Sequence, residues 1–274
     1  MAAVVNTEQQ QVWNGWLGEH WVRCPDRYDG LLEGFNASVL DAAGIGASSR
    51  VLDVGCGTGQ LTRDAAARAP RGSATGVDIS ERMVAAARER SRGSANASFV
   101  LADAQVHPFA DGGYDAVVSR GGVMFFDDPV AAFANVGRGL RAGGRLAFLA
   151  PGEPNPEYAR ATAALRPHMS EPSPTTRRMM SLVDPEAARA LLDASGFREA
   201  GVERVGAVAV LGADPVDAAE FVCGQGMVRS CLDRLDDGVR DRVRRDLEEG
   251  LAAFHTADGV RVEDSAWLVS AVRA

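Results

Sequence analysis

Val51-Leu52-Asp53-Val54-Gly55-Cys56-Gly57-Thr58-Gly59 decides how the rest of this chain is read. A short apolar run from Arg50 to Val54, broken by one acid, enters three glycines spaced by two, and a helical pattern over Gln60 to Ala69 follows at once. Glycine belongs where the backbone must turn sharply and let a ligand approach without Cβ interference. A strand, glycine loop and helix in that order place the ligand in the crevice beyond the carboxyl ends of parallel strands. A glycine loop alone is a weak signal. Asp78 strengthens it: in Gly76-Val77-Asp78-Ile79-Ser80 it ends the next strand, 23 residues after Gly55. That is the spacing at which a carboxylate accepts hydrogen bonds from ribose hydroxyls.

Working outward, the pattern predicts a helix over 60–69, a strand over 74–77, a helix over 81–90 and strands over 97–101 and 114–118. A helix over 129–140 and a strand over 144–150 complete the series. Strands alternating with helices imply βαβ units and a parallel sheet. Upstream, residues 7–22 and 27–43 read as two amphipathic helices, the second ending near Gly44. After Pro151 the rhythm breaks into a proline-rich polar stretch with Met169, Met179 and Met180, read as a cap over the carboxyl edge of the sheet. A helix over 185–195, a strand over 202–211, helices over 215–232 and 236–254 and a final strand over 265–273 follow. The expected fold is α/β: a Rossmann-like, doubly wound, mostly parallel sheet with an antiparallel closing strand, N-terminal helices and a cap insertion. The expected division is an N-terminal helical lid (1–44), a nucleoside-binding core (45–150), a cap (151–183) and the remainder of the core with further lid helices (184–274).

The chain has 274 residues, enough for one sizeable α/β domain. Its net charge of -8 disfavours nucleic acid or an anionic membrane as partner, since either selects for a basic patch. Lysine is absent, which removes Schiff-base and lysine general-base chemistry. Cys24, Cys56, Cys223 and Cys231 form no CxxC pair and fit a reducing compartment. No apolar run reaches a membrane span and no secretion signal opens the chain, so the expected location is the cytoplasm, with a homodimer or higher homo-oligomer possible.

A nicotinamide fingerprint, GxGxxG, needs its third glycine at position 60, where this chain has Gln60. The run VLDVGCGTG, then GVDIS, ADAQVHPF, YDAVVSRGGVMFFDDP and LRAGGRLAF, resembles class I S-adenosylmethionine methyltransferases. In style it is similar to bacterial ubiquinone/menaquinone-type and natural-product small-molecule enzymes. The resemblance covers residues 45–150. It implies S-adenosylmethionine as cofactor and methyl transfer at carbon or oxygen of a small acceptor, a natural product or quinone-like metabolite; the tryptophan-rich N-terminal segment favours an aromatic or apolar one. It also implies that Asp53, Gly55, Gly57 and Gly59 lie beside the methionine part and that Asp78 holds the ribose hydroxyls. Ile79 then packs on the adenine, Asp103 accepts from the adenine amine with the Ala104 backbone beside it, and Ser119 lies near the sulfonium. Asp53 as a tether of the loop and Ile79 as plain core remain open. The family often carries a bulky residue at Gly121 and a tryptophan after the fifth strand, where this chain reads Leu149-Ala150-Pro151, which implies extra room for the acceptor.

The electrophilic methyl leaves the protein mainly alignment and dryness to supply, with a base only where the acceptor must lose a proton. Candidates for that base are His20, Tyr28 and His168, and no metal-ligand spacing appears. Arg120 is a candidate for an acceptor anion or the cofactor carboxylate, against a structural ion pair. Trp16 and Trp21, in a segment holding three of the four tryptophans, are candidates for an aromatic pocket, against simple helix docking. The DNA-methylase [DN]PP[YFW] clamp is replaced by Ser119-Arg120-Gly121-Gly122. The competing class of function is a non-catalytic regulator that keeps the cofactor as ligand, with an NAD-dependent oxidoreductase behind it.

Overall fold

Side chains on a strand alternate between the two faces of a sheet, and the first strand carries apolar residues on both, Val51 on one face and Leu52 and Val54 on the other. In a computed structural model that describes residues 3–152, 155–169, 182 and 184–274, that pattern produces a sheet covered on both sides. Leu52 and Val54 of β1 (Arg50–Val54), Val117 of β4 (Tyr114–Arg120) and Leu146 and Phe148 of β5 (Leu140–Pro151) face one core. There they meet Phe133 and Val136 of α7 (Pro129–Gly139) and Leu192 of α9 (Pro185–Ala194). The intervening residues Val51, Ala116, Val118, Ala147 and Leu149 face the opposite core, against Val39 and Leu40 of α4 (Asn36–Ala42) and Leu61 and Ala65 of α5 (Gln60–Arg68). Phe133 and Phe148 are fully buried; at roughly 2–3 kcal/mol for each large apolar side chain, these two layers supply the main drive to fold.

The sheet order is β3-β2-β1-β4-β5-β8-β6, with β2 at Ser73–Asp78, β3 at Ala97–Leu101, β6 at Phe197–Gly212 and β8 at Gly259–Arg273; the two-residue β7 (His255–Thr256) pairs with β8 off this path. The first five strands pair in parallel; β8 runs antiparallel, wedged between β5 and β6. Strand order reverses between β1 and β4, and a crevice opens at the carboxyl ends of strands on either side of such a switch point. That is where the glycine loop sits. α6 (Glu81–Arg90) returns the chain from β2 to β3, its first turn capped by Ser80, whose Oγ accepts from the Met83 N–H.

Several boundaries differ from the sequence pattern. Residues 7–22 are two helices, α1 (Thr7–Asn14) and α2 (Trp16–Arg23), because Gly15 is extended at ψ -159° and breaks the ladder. The stretch over 27–43 divides into α3 (Pro25–Leu32), a 3-10 turn at Glu33–Phe35 and α4. Gly224-Gln225-Gly226 separates α10 (Pro215–Gly224) from α11 (Gly226–Leu232). β6 and β8 are much longer than expected, since their far halves pair with each other beyond the end of β5.

That overhang carries a third core. Leu211, Val260 and Val262 meet Ala218 and Val222 of α10, Leu247 and Leu251 of α12 (Asp237–Ala252), and Ala161 and Leu165 from the segment after β5. The described part of the expected cap, α8 (Pro156–Ala161) and a 3-10 turn at Ala163–His168, belongs to this satellite core. The rest of the expected cap, including Met179 and Met180, lies outside the described residues.

Candidate functional site

Three turns of positive φ, at Gly55 (69°), Gly57 (55°) and Gly59 (86°), bend the chain from β1 into α5. At Gly55 a Cβ would meet Gly122 Cα at 2.5 Å, so the β1 and β4 loops touch backbone to backbone. Ser119 makes that junction rigid: its Oγ donates to the Val54 carbonyl at 2.7 Å and accepts from the Gly122 and Val123 N–H groups. It is fully buried and fastens the loops from behind rather than facing a ligand. Gly59 likewise sits against the Phe99 ring and starts α5 without lining the crevice.

Over these loops lies a cavity of about 460 Å³. Of the residues singled out in the sequence, Gly55, Gly57, Asp78, Ile79, Asp103, Ala104, Trp21, Arg120 and Gly121 line it together. The Asp78 carboxylate accepts from the Gly57 N–H at 2.9 Å through Oδ2 and from the Ser80 N–H at 2.8 Å through Oδ1. A carboxylate offers about four lone-pair directions, so one that lines the cavity retains acceptor capacity for a ribose hydroxyl beyond its backbone donors. Burial pushes this carboxyl up, against the pull of its N–H donors.

Asp103 is spent differently. Its Oδ2 accepts from the Val5 and Asn6 N–H groups, both at 3.0 Å, and its Oδ1 accepts from the Gln105 N–H. It thus fastens the N-terminal segment over the β2–β3 end of the cavity, a second task the sequence did not suggest. Asn6 adds a bond from Nδ2 to the Phe125 carbonyl at 2.8 Å. Trp13 stands edge-on to Trp21 and Phe125 at 5.6 and 5.5 Å, and its carbonyl accepts from Ser80 Oγ. Asn6, Gln9 and Phe125 are therefore wall residues that sequence reasoning missed. Of the three clustered tryptophans, Trp13 and Trp21 line the cavity and Trp16 does not. Trp16, which opens the helix after the Gly15 break, is 42% exposed, with the Arg229 guanidinium over its ring at 5.2 Å.

Asp53 lies behind the loop, 1% exposed and absent from the cavity wall. Its Oδ2 accepts from Thr62 Oγ1 at 2.6 Å, and its Oδ1 has no hydrogen-bond partner among the described residues. Burial pushes this carboxyl up to about 7 from an ordinary 3.8. A raised carboxyl favours the folded state in its protonated form. Its contribution is complete below 3.8 and is lost as pH climbs through about 7. In the ligand-free protein, unfolding free energy is expected to fall over that window for the wild type and not for Asp53→Asn. Denaturant melts of both across the window check this, and parallel pH profiles would refute it.

The three proposed bases do not reach the cavity. His20 Nδ1 and Tyr28 Oη are 2.9 Å apart in a buried aromatic cluster with Phe221. Burial lowers the His20 pKa and raises the Tyr28 phenol to about 12, which keeps Tyr28 protonated near neutrality. What this pair does is packing: the Tyr28 ring stacks on Trp21 at 3.7 Å and 7°, so it backs a ring that does line the cavity. His168 ends the 3-10 turn beside the satellite core. Arg120 is only 11% exposed; Nη1 donates to Asn36 and Gln60, and Nη2 lies 3.5 Å from Asp29, a carboxylate also approached by Arg90 and Arg63. It is an ion-pair strut with one flank on the cavity. Among the described residues no group of three or more His, Cys, Asp or Glu is placed to hold a metal ion.

Residues 51–144 match a family model described as a methyltransferase domain. An O-methyltransferase of Aspergillus nomiae is 36% identical over 115 residues, 39% of this chain and 51% of that protein. A demethylmenaquinone methyltransferase of Staphylococcus aureus is 32% identical over 117 residues, 42% of this chain and 48% of that one. The chain therefore spans about half the length of these curated relatives. Among solved structures, phosphoethanolamine N-methyltransferase 2 of Haemonchus contortus in complex with S-adenosyl-L-methionine shares the fold. Its TM-score is 0.52, with 20% identity, over 87% of this chain and 52% of that one.

Proposed function

We propose that this chain, which carries a methyltransferase domain over residues 51–144, methylates a small apolar molecule using S-adenosylmethionine. The observation that carries the reading is Asp78, held by the Gly57 N–H within a glycine loop and lining a cavity at the carboxyl end of β2. Asp78 holds the ribose hydroxyls, Ile79 and Ala104 flank the adenine, and the backbone at Gly55 and Gly57 admits the methionine part without Cβ obstruction. When bound, the cofactor supplies a methyl group already activated on a sulfonium. The protein's own work is to orient and to exclude water, through the rings of Trp13, Trp21, Phe35 and Phe125.

The acceptor lies farther along the sheet. From β2 to β8 the sheet crosses four strand intervals, about 19 Å at about 4.8 Å each, longer than the part framed by Asp78 and Gly55. Over β5 and β8 the wall is Leu149, Ala150, Pro151 and Ala266, with Leu32, Phe35 and Met124 nearby, which suits an aromatic or aliphatic body. The names of the two curated relatives, an O-methyltransferase and a demethylmenaquinone methyltransferase, favour a hydroxylated or quinone-like metabolite. Four free thiols among the described residues suit the cytoplasm. Among the described residues no helix is long and apolar enough to cross a membrane.

Calorimetry with S-adenosylhomocysteine tests the reading. Saturable one-to-one uptake is expected, with no uptake of NAD. Uptake of NAD in its place, or of neither, would overturn it. Methyl transfer to a panel of phenols and hydroquinones separates an enzyme from a silent cofactor-binding regulator.

A further inference from the structure

With His20, Tyr28 and His168 away from the cavity, the acceptor side needs its own polar group. β8 runs past the end of β5: Pro151 pairs with Ala266, and beyond that point β8 continues beside β6, with Asp264 opposite Ala207. Asp264 and Ser265 therefore stand at the carboxyl end of β5, at the same edge of the sheet as the glycine loop, and both line the cavity. Asp264 Oδ1 accepts from the Ser265 N–H at 2.8 Å, and Oδ2 has no hydrogen bond among the described residues. No described arginine or histidine forms an ion pair with it. It shares the cavity wall with Leu149, Ala150, Pro151 and Ala266, and Tyr158 of α8 is close enough to feel its charge.

A carboxylate left in an apolar wall without a cation is costly unless a ligand donates to it. Burial raises the Asp264 pKa, which moves it toward the range useful for a base. The guanidinium on the described cavity wall, Arg120, is tied to Asp29, Asn36 and Gln60, so an anionic acceptor finds no matching free charge among the described residues.

We propose that Asp264 is the hydrogen-bond partner and general base for the acceptor, and that the acceptor is an uncharged apolar molecule presenting a hydroxyl, a phenol foremost. The inference rests on the methyltransferase reading of the same cavity. In the proton step the acceptor O–H bond breaks, the proton joins Asp264 Oδ2, and the electron pair stays on the acceptor oxygen, which becomes the nucleophile. The proton passes to water when product leaves. Neither atoms nor electrons are left over.

The test uses para-nitrophenol, whose phenolate absorbs visibly, added to the full chain saturated with S-adenosylhomocysteine. A phenol donating to a carboxylate holds its proton more tightly, so the ratio of phenolate to phenol for the bound probe is expected to fall about tenfold below that of the free probe. Asp264→Asn, close in shape, and the smaller Asp264→Ser are both expected to abolish that change while S-adenosylhomocysteine affinity stays within about twofold. Methylation of a phenol by the Asn variant is expected to drop about a hundredfold, the usual scale for a lost general base. An unshifted probe on a protein that does take up S-adenosylhomocysteine overturns this inference alone. Tighter binding of benzoate or phenyl phosphate than of para-nitrophenol overturns it as well. Failure to take up S-adenosylhomocysteine overturns the reading of the site, and this inference with it.

Discussion

Asp78→Ala is expected to weaken S-adenosylhomocysteine binding by at least about a hundredfold while leaving the protein folded. The carboxylate has two jobs. It accepts from the Gly57 and Ser80 N–H groups, which fixes the glycine loop against the end of β2, and it lines the cavity with acceptor capacity left for the ribose. Hydrogen bonds to a charged group contribute about 1.5–3 kcal/mol each, so losing two ribose bonds alone costs about 3–6 kcal/mol, or a hundredfold and more. Alanine also leaves the Gly57 N–H without its partner and loosens the loop. Asp78→Asn is expected to fall between: it keeps one acceptor oxygen but turns an amide N–H₂ toward a backbone donor or a hydroxyl. Calorimetry on the three proteins decides the matter. A loss of less than threefold in Asp78→Ala would place the sugar elsewhere, and the nucleoside reading of the crevice with it.

Gly55→Ala is expected to be the most damaging substitution in the loop, lowering Tm by about 5 °C or more and removing cofactor uptake. Two costs add. At φ 69° an L-residue pays about 1–2 kcal/mol for the left-handed region. Its Cβ then lies 2.5 Å from Gly122 Cα, and Gly122 is itself pressed on the Val54 carbonyl, so no side chain can move aside to relieve the contact. The β1 and β4 loops must separate, and the floor of the cavity opens with them. At about 2–4 °C of Tm per kcal/mol for chains of roughly this size, the strain is readily measured. Gly57→Ala is the contrast: its φ is also positive at 55°, yet its Cβ meets only Trp21 Nε1 at 4.0 Å, so strain alone remains. Thermal melts of the two variants that coincide would show that the loop contact contributes nothing.

The βαβ rhythm and the nucleoside end of the site were legible because they are local. Val51 to Gly59 form a strand and a turn by their own period and glycine content, and Asp78 follows at the end of the adjacent strand. Short-range chemistry also explains the errors of boundary. Gly15 and the Gly224–Gly226 pair were visible as breakers, but an amphipathic pattern running through them outweighed two glycines. The bases were misassigned for a different reason. His20 and Tyr28 have the right chemistry, and only packing turns them toward each other and Phe221 instead of toward the cavity.

By itself the sequence determined a parallel α/β sheet with a glycine turn and an acid at the carboxyl ends of its first two strands, since both follow from periodicity and spacing within about thirty residues. Only the tertiary structure decided which distant groups complete the site. Asp103 is joined to Val5 and Asn6 across a separation of 98 and 97 residues, and Asp264 reaches the same edge by way of a strand inserted between β5 and β6. Such meetings are set by how two cores pack against one sheet. No period along the chain encodes them, because their partners are neighbours in space alone.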